Sequence, residues 1–166
     1  MTNHCGECTA CCRVFAIAEM PEKKAGDWCQ HCAIGKGCKV YETRPQTCRE
    51  FECLWLMSQK REDAREQLPA HLRPDKCKVV FSPSTNPSIM AATIMPGHAG
   101  DALKRKGVRE LVEALVRGGA AVVVGEPAAT KRVLIDSDGW HPVRMTEPDE
   151  NGMQWNIPEG ATDEPT

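Results

Sequence analysis

Hydrophobic and polar positions along the chain follow two different patterns. From about residue 75 onward the pattern is that of strands around one helix. Lys76-Cys77-Lys78-Val79-Val80-Phe81 and Ile89 to Met95 read as strands on either side of the loop Ser82 to Pro87. Val108, Leu111, Val112, Leu115 and Val116 recur at helical spacing, and Gly118-Gly119 stops that helix. Ala120 to Val124 and Arg132 to Asp136 predict two further strands. Asp136-Ser137-Asp138-Gly139 follows as a hairpin turn, too short for a calcium loop. The resulting order, β-β-α-β-β, predicts an antiparallel or mixed sheet with one covering helix. Upstream, the spacing predicts a helix over Glu52 to Gln67, ended by Pro69, and a turn at Leu72-Arg73-Pro74-Asp75.

The first third shows neither period, and cysteine takes the place of the usual apolar residues. Nine of the ten cysteines fall in the first fifty-three residues, and only Cys77 lies outside that block. Cys5, Cys8, Cys11 and Cys12 form CxxCxxCC, predicted as a tight turn running into a short helix. In such a helix Cys8 and Cys12, four apart, share one face. Met20 to Trp28 reads as a polar connecting loop. Cys29-x-x-Cys32 follows, then the turn Ile34-Gly35-Lys36-Gly37 and Cys38. Pro45 suits the first turn of a helix that carries Cys48, with Cys53 where that helix kinks or ends. Phe51, Leu54 and Trp55 offer an apolar wall beside it.

Composition narrows the chemistry. The 166 residues are 41% hydrophobic and 27% charged, ordinary values for a folded chain. A net charge of −2 gives no general attraction to nucleic acid or to an anionic membrane. The run Ala120 to Val124 is far too short to span a bilayer, and no signal peptide precedes the cysteines. A cytoplasmic setting is therefore expected, where thiols stay reduced and dense cysteine reads as ligand rather than disulfide. The boundaries that follow are a cysteine-rich metal-binding unit over 1–60, a small α+β unit packed against it over 61–146, and an acidic, partly mobile tail over 147–166. Trp155 and Ile157 mark a part of the tail that docks.

Thiols at two-residue gaps suit a tetrahedral metal or an iron–sulfur cluster, because one turn of chain brings two sulfurs to a common ion. Adjacent side chains such as Cys11 and Cys12 diverge. The pair either distorts the backbone at one metal or feeds two neighbouring centres. Glycines at 35 and 37 allow close backbone approach to the thiols. Lys36, Lys39, Arg44 and Arg49 supply positive charge, with Arg44 and Arg49 expected to pair with Glu42, Glu50 or Glu52. Cys77 is expected as a packed or surface thiol. His4 and His31 are alternative ligands, more simply neighbours of the thiols. His71, His98 and His141 read as exposed loop histidines, and Lys104, Arg105, Lys106 and Arg109 as a solvated basic face. No GxGxxG after a strand, no phosphate-binding loop and no HExxH appears, so no catalytic group is assigned.

Cys5-x-x-Cys8-x-x-Cys11-Cys12, followed by Gly37-Cys38-x-x-Tyr41-x-x-Arg44-Pro45-x-x-Cys48-Arg49-x-Phe51-x-Cys53, resembles the CxxCxxCC zinc- or iron-chelating family, the YkgJ-type cysteine-cluster proteins. The resemblance covers about a third of the chain. It implies a metal-chelating domain with eight shared cysteines, here Cys5, Cys8, Cys11, Cys12, Cys32, Cys38, Cys48 and Cys53. Cys29 stands outside those eight as an additional candidate ligand. Eight thiolates divide into two four-coordinate centres, CxxCxxCC on one side and Cys32, Cys38, Cys48 and Cys53 on the other. Zinc and an iron–sulfur cluster use the same ligand type, so both remain open as cofactor. Two functions follow. One is a metal-cluster protein in redox chemistry, metal handling or sensing. The other is a zinc-stapled structural or protein-interaction module without chemistry of its own.

Overall fold

The computed structural model describes residues 5–147 and 154–160. In chain order the elements are helix α1 (Cys11–Val14), strands β1 (Cys32–Ala33) and β2 (Gly37–Cys38), and helices α2 (Gln46–Glu50), α3 (Leu54–Ser58) and α4 (Pro74–Cys77). Then come strands β3 (Val79–Pro83) and β4 (Ile89–Ile94), helix α5 (Val108–Arg117), and strands β5 (Ala121–Gly125), β6 (Lys131–Asp136), β7 (Gly139–Met145) and β8 (Asn156–Pro158). Strands β3 to β8 form one mixed sheet in chain order, and β1 and β2 pair as a separate two-stranded ladder. Only β4 and β5 run parallel; all other neighbours are antiparallel. A parallel pair needs a long crossover, and α5 lies within it. The α+β class is as expected, while the sheet gains two strands, β7 and β8, beyond the predicted order.

Alternation along β3 gives the sheet two working faces. Val79 and Phe81 join Ala92 and Ile94 of β4, Val122 and Val124 of β5 and Ile135 of β6 in one core, closed by Val108 and Val112 of α5. Leu111, Leu115 and Val116 pack at its margin, so the apolar stripe read at helical spacing is the buried face of α5. The helix ends in a Schellman arrangement. Ala120 N–H donates to Leu115 O at 3.1 Å, and Gly119 N–H to Val116 O at 2.9 Å, with Gly119 at φ +88°. Val80 points to the other face, where it meets Met95, Ala10 and Val14. The cysteine-rich segment therefore rests on the side of β3 opposite α5.

Local chemistry shifts several expected boundaries. The helix expected over Glu52 to Gln67 is only α3, which stops at Ser58. The Ser58 hydroxyl donates to Trp55 O at 2.7 Å and accepts the Leu68 N–H at 3.0 Å, so it folds the chain back instead of extending it. Asp63 then caps a separate 3₁₀ turn, Ala64–Glu66. Cys77 does not lie on a strand. Pro74 at the first position starts α4, Lys78 turns the chain at φ 64°, and Cys77 is buried in the α5-side core at 2% exposure. Leu54 and Trp55 also pack into that core, so of the expected apolar wall only Phe51 stays with the cysteines.

The hairpin after β6 forms as expected, with Asp136 opposite Gly139 and Asp136 Oδ1 accepting the N–H groups of Asp138 and Gly139. His141 lies on β7 rather than in a loop, 3.0 Å from Asp136. In the expected tail, Ile157 pairs with Arg144 across β7 and β8, while residues 148–153 and 161–166 lie outside the described residues. The basic stretch is a paired surface: Arg105 meets Asp101 at 2.7 Å and Arg109 meets Glu113 at 2.9 Å. Among the described residues no helix is long and apolar enough to cross a membrane.

Val80 tests the joint between the two faces. It is 1% exposed, and truncation leaves a hole between sheet and cysteine-rich segment. Val80→Ala is expected to cost about 1.5–3 kcal/mol in urea unfolding of the reduced protein. A loss below about 0.5 kcal/mol would show that the segment does not rest on the sheet.

Candidate metal centre

The cysteine-rich segment has little regular structure and is held by backbone turns. Cys8 N–H donates to Cys5 O at 3.0 Å, and α1 begins only at Cys11. Cys8 therefore sits in the turn before the helix, and the expected shared face of Cys8 and Cys12 does not form. Instead Cys8 packs with Cys53 beside Val80 and Met95. Cys12 packs with Cys32 and Cys48 around Ile17, Met20 and Cys29. The chain leaves α1, loops through Met20 to Trp28 and returns, with Cys29 N–H donating to Cys12 O at 3.0 Å and Gly26 N–H to Arg13 O at 3.0 Å. Arg13 stacks over the Trp28 ring at 5.3 Å, closing the same loop.

The remaining thiols arrive on short, externally anchored elements. Cys32 and Cys38 face each other across the β1–β2 ladder. Gly37 carries φ +117°, and a Cβ there would stand 3.1 Å from Gly6 O, so this turn presses directly on the CxxC turn. Thr9, buried, accepts the Gly35 N–H at 3.2 Å and ties the two turns together. Helix α2, which carries Cys48, has no cap of its own. The Glu19 carboxylate, from the loop after α1, supplies it by accepting Thr47 N–H at 3.0 Å and Thr47 Oγ1–H at 2.7 Å. Cys53 stands at the N-cap of α3, where its sulfur faces the N–H groups of Leu56 and Trp55.

These segments enclose a cavity of about 440 Å³, lined by Cys5, Cys8, Cys11, Cys12, Cys29, Cys38, Cys48 and Cys53, with His31, Phe15, Tyr41, Arg44, Phe51 and Glu52 among the other walls. Cys32 stands just behind, hydrogen-bonded to the Cys12 thiol. All ten cysteines are free thiols. Eight of the nine sequence-predicted ligands thus share one cavity and the ninth touches it, while Cys77 lies in the core. His4 is outside the described residues. Among the described residues no three His, Cys, Asp or Glu side chains form a group that holds a metal ion as they stand.

The electrostatics are those of crowded thiols short of positive charge. Burial, then the neighbouring Cys53, pushes the Cys5 thiol up from 9.0 to about 11. Burial, then Cys12, pushes Cys32 up to about 12. Burial also raises Cys8, Cys48 and Cys53, with backbone N–H groups opposing it at Cys8 and Cys53. The exception is Cys12, lowered to about 6, first because Cys11 hydrogen-bonds to it; Cys11 rises in turn. Among the described residues Arg44 and Arg49 do not form the expected pairs with Glu42, Glu50 or Glu52. Arg44 lies 3.9 Å over the Tyr41 ring and donates to Tyr41 O at 2.6 Å, and Arg49 donates to Arg44 O at 2.9 Å.

A cation sequence reasoning missed is Lys23. It is 4% exposed, and its ammonium donates to Arg13 O (3.2 Å), Phe15 O (2.5 Å) and Lys24 O (2.8 Å). No signal in Glu22-Lys23-Lys24-Ala25-Gly26 separates it from a solvated loop lysine.

The donor set fits a thiolate-bound centre. One water needs roughly 10–15 Å³, so the cavity has room for a polynuclear group. The metal-ligating groups on its walls are mainly thiols, which suit zinc or iron–sulfur better than oxygen-preferring ions. Compared with known protein families, curated proteins and solved structures, the chain matches none.

The raised thiols give a pH test with a definite sign. A group whose folded pKa is raised stabilises the fold below its unfolded value and loses that contribution as pH rises. Reduced, metal-free protein is therefore expected to lose thermal stability between pH 9 and about 11, the window set by Cys5. Zinc-loaded protein, where cation binding favours the thiolates, should lose distinctly less over the same window. Equal pH dependence with and without zinc would show that these thiols are not the groups involved.

Proposed function

We propose that the chain is a cysteine-cluster metal-binding protein holding an iron–sulfur cluster, zinc or both, and that it works in redox chemistry, metal handling or sensing. The observation that carries this is the convergence of eight reduced thiols on one cavity large enough for a polynuclear centre, with a ninth, Cys32, packed behind them. Proteins seldom gather buried sulfur without a use for it, since each added thiolate raises the cost of its neighbours. The resemblance to YkgJ-type cysteine-cluster proteins, carried by the spacing of eight cysteines, supports the same reading. Free thiols in such density suit a reducing compartment, and we place the protein in the cytoplasm. Neither nucleic acid nor membrane is proposed as a partner. A protein partner, if the role is electron or metal transfer, is an open part of the same proposal.

A second reading has its own support. Cys8 and Cys53 share a packing cluster with Val80 and Met95, so a metal held there would also pin the segment to the sheet. A zinc-stapled structural or interaction module would use the centre in that way alone.

Metal content and the visible spectrum of protein purified without oxygen separate the two. Stoichiometric iron with broad visible absorption that bleaches on reduction is expected for the redox reading. Colourless protein with stoichiometric zinc, inert to reductant and unfolded by chelator, would leave only the staple. Protein that binds neither metal and folds normally would end both.

A further inference from the structure

Resting on that metal-binding reading, we propose that Cys29 is the fourth thiolate of a centre formed with Cys12, Cys32 and Cys48, and that the buried ammonium of Lys23 is its fixed countercharge. The family pattern contains Cys38 and omits Cys29, but packing reverses their weight. Cys29 is 8% exposed and forms a buried cluster with Ile17 and Met20, and the cysteines packed against that cluster are Cys12, Cys32 and Cys48. Backbone bonds lock three of the four together: Cys29 N–H to Cys12 O and Cys32 N–H to Cys29 O, both at 3.0 Å. The Cys12 and Cys32 thiols are already hydrogen-bonded. Cys38 faces Cys32 across the ladder but lies outside the cluster. Cys8 and Cys53 belong to the separate cluster at Val80, which leaves Cys5, Cys8, Cys11 and Cys53 for a second centre.

Charge gives an independent argument. Four thiolates on a divalent ion carry a net charge of about −2, and a buried charge needs compensation. Lys23 spends its three N–H bonds on the carbonyls of Arg13, Phe15 and Lys24, so its head is fixed in place. Among the described residues no Asp or Glu lies within ion-pair distance of it. A lysine this buried, satisfied only by neutral carbonyls, is balanced once thiolates gather beside it.

The test is a titration of the reduced, metal-free full chain with cobalt(II), whose sulfur-to-metal absorption reports thiolate ligation. Cys29→Ser is expected to lose about half of the wild-type amplitude, one centre of two, while Cys38→Ser keeps nearly all of it. Lys23→Met is expected to weaken cobalt binding at half of the sites by about tenfold or more, since it removes a unit positive charge from beside the centre. Alkylation of the unmutated protein, read by mass spectrometry, needs no variant to fold: cobalt should protect Cys29 and leave Cys38 modified. Retention of full amplitude by Cys29→Ser, equal losses in both serine variants, or protection of Cys38 in place of Cys29 would overturn the assignment alone. An unmutated chain that takes up no cobalt would overturn both the assignment and the metal-binding reading beneath it.

Discussion

Everything in the first third of this protein depends on packing thiols beside one another around a shared cavity. A thiol is a weak hydrogen-bonding group and packs like a small hydrophobe, so eight of them can close around a cavity as apolar residues would. As thiolates the same groups repel. Burial and mutual charge already push Cys5 and Cys32 far above the ordinary thiol range. The segment thus has two stable limits: protonated and collapsed, or ionised around a cation. What lies between them is costly, and that cost couples the fold of the segment to its ligand.

The sheet makes this coupling local. Strand β3 gives Val79 and Phe81 to the core under α5, and Val80 to the cysteine-rich segment. The α5-side core buries branched aliphatic side chains from four strands, and the one cysteine in it is Cys77, outside the cysteine-rich segment. A change at the thiols reaches the sheet through a few residues, Val80 and Met95 on one face and Leu54 and Trp55 on the other. Such an arrangement lets a poorly ordered ligand set form against a surface that is rigid beforehand. Glu19 works the same way from the other side: by capping α2 from a distant loop, it fixes the helix that carries Cys48.

The elements that were legible in the amino-acid sequence are those whose pattern repeats. The stripe Val108–Val116 buries one set of equivalent positions, and the strands β3 and β5 stand out as short runs of branched apolar residues buried on both faces. Strand β7 escaped because Gly-Trp-His-Pro-Val-Arg-Met does not alternate and has Pro142 at its centre. The helix expected after Glu52 was cut short by one hydroxyl, since the folding back at Ser58 depends on Leu68, ten residues away. At the site, the sulfur inventory was legible and its partition was not. Spacing shows which residues can reach an ion, but Cys53 joins Cys8 only because α3 begins where β3 passes. Lys23 was hidden for a similar reason, because its three acceptors are set by the return of the chain to Cys29.

The adjacent pair Cys11 and Cys12 shows why the partition falls where it does. Successive side chains on a helix diverge by about 100°. Helix α1 is only four residues long and lies between the sheet, through Val14, and the loop that brings in Cys29. Two neighbouring thiols at its start therefore leave the helix in different directions, Cys12 toward the cluster of Ile17, Met20 and Cys29. The hydrogen bond between them lowers the Cys12 thiol and raises Cys11 in turn. The loop that follows α1 also holds Lys23, whose ammonium is fixed on the carbonyls of Arg13 and Phe15, immediately beyond the pair.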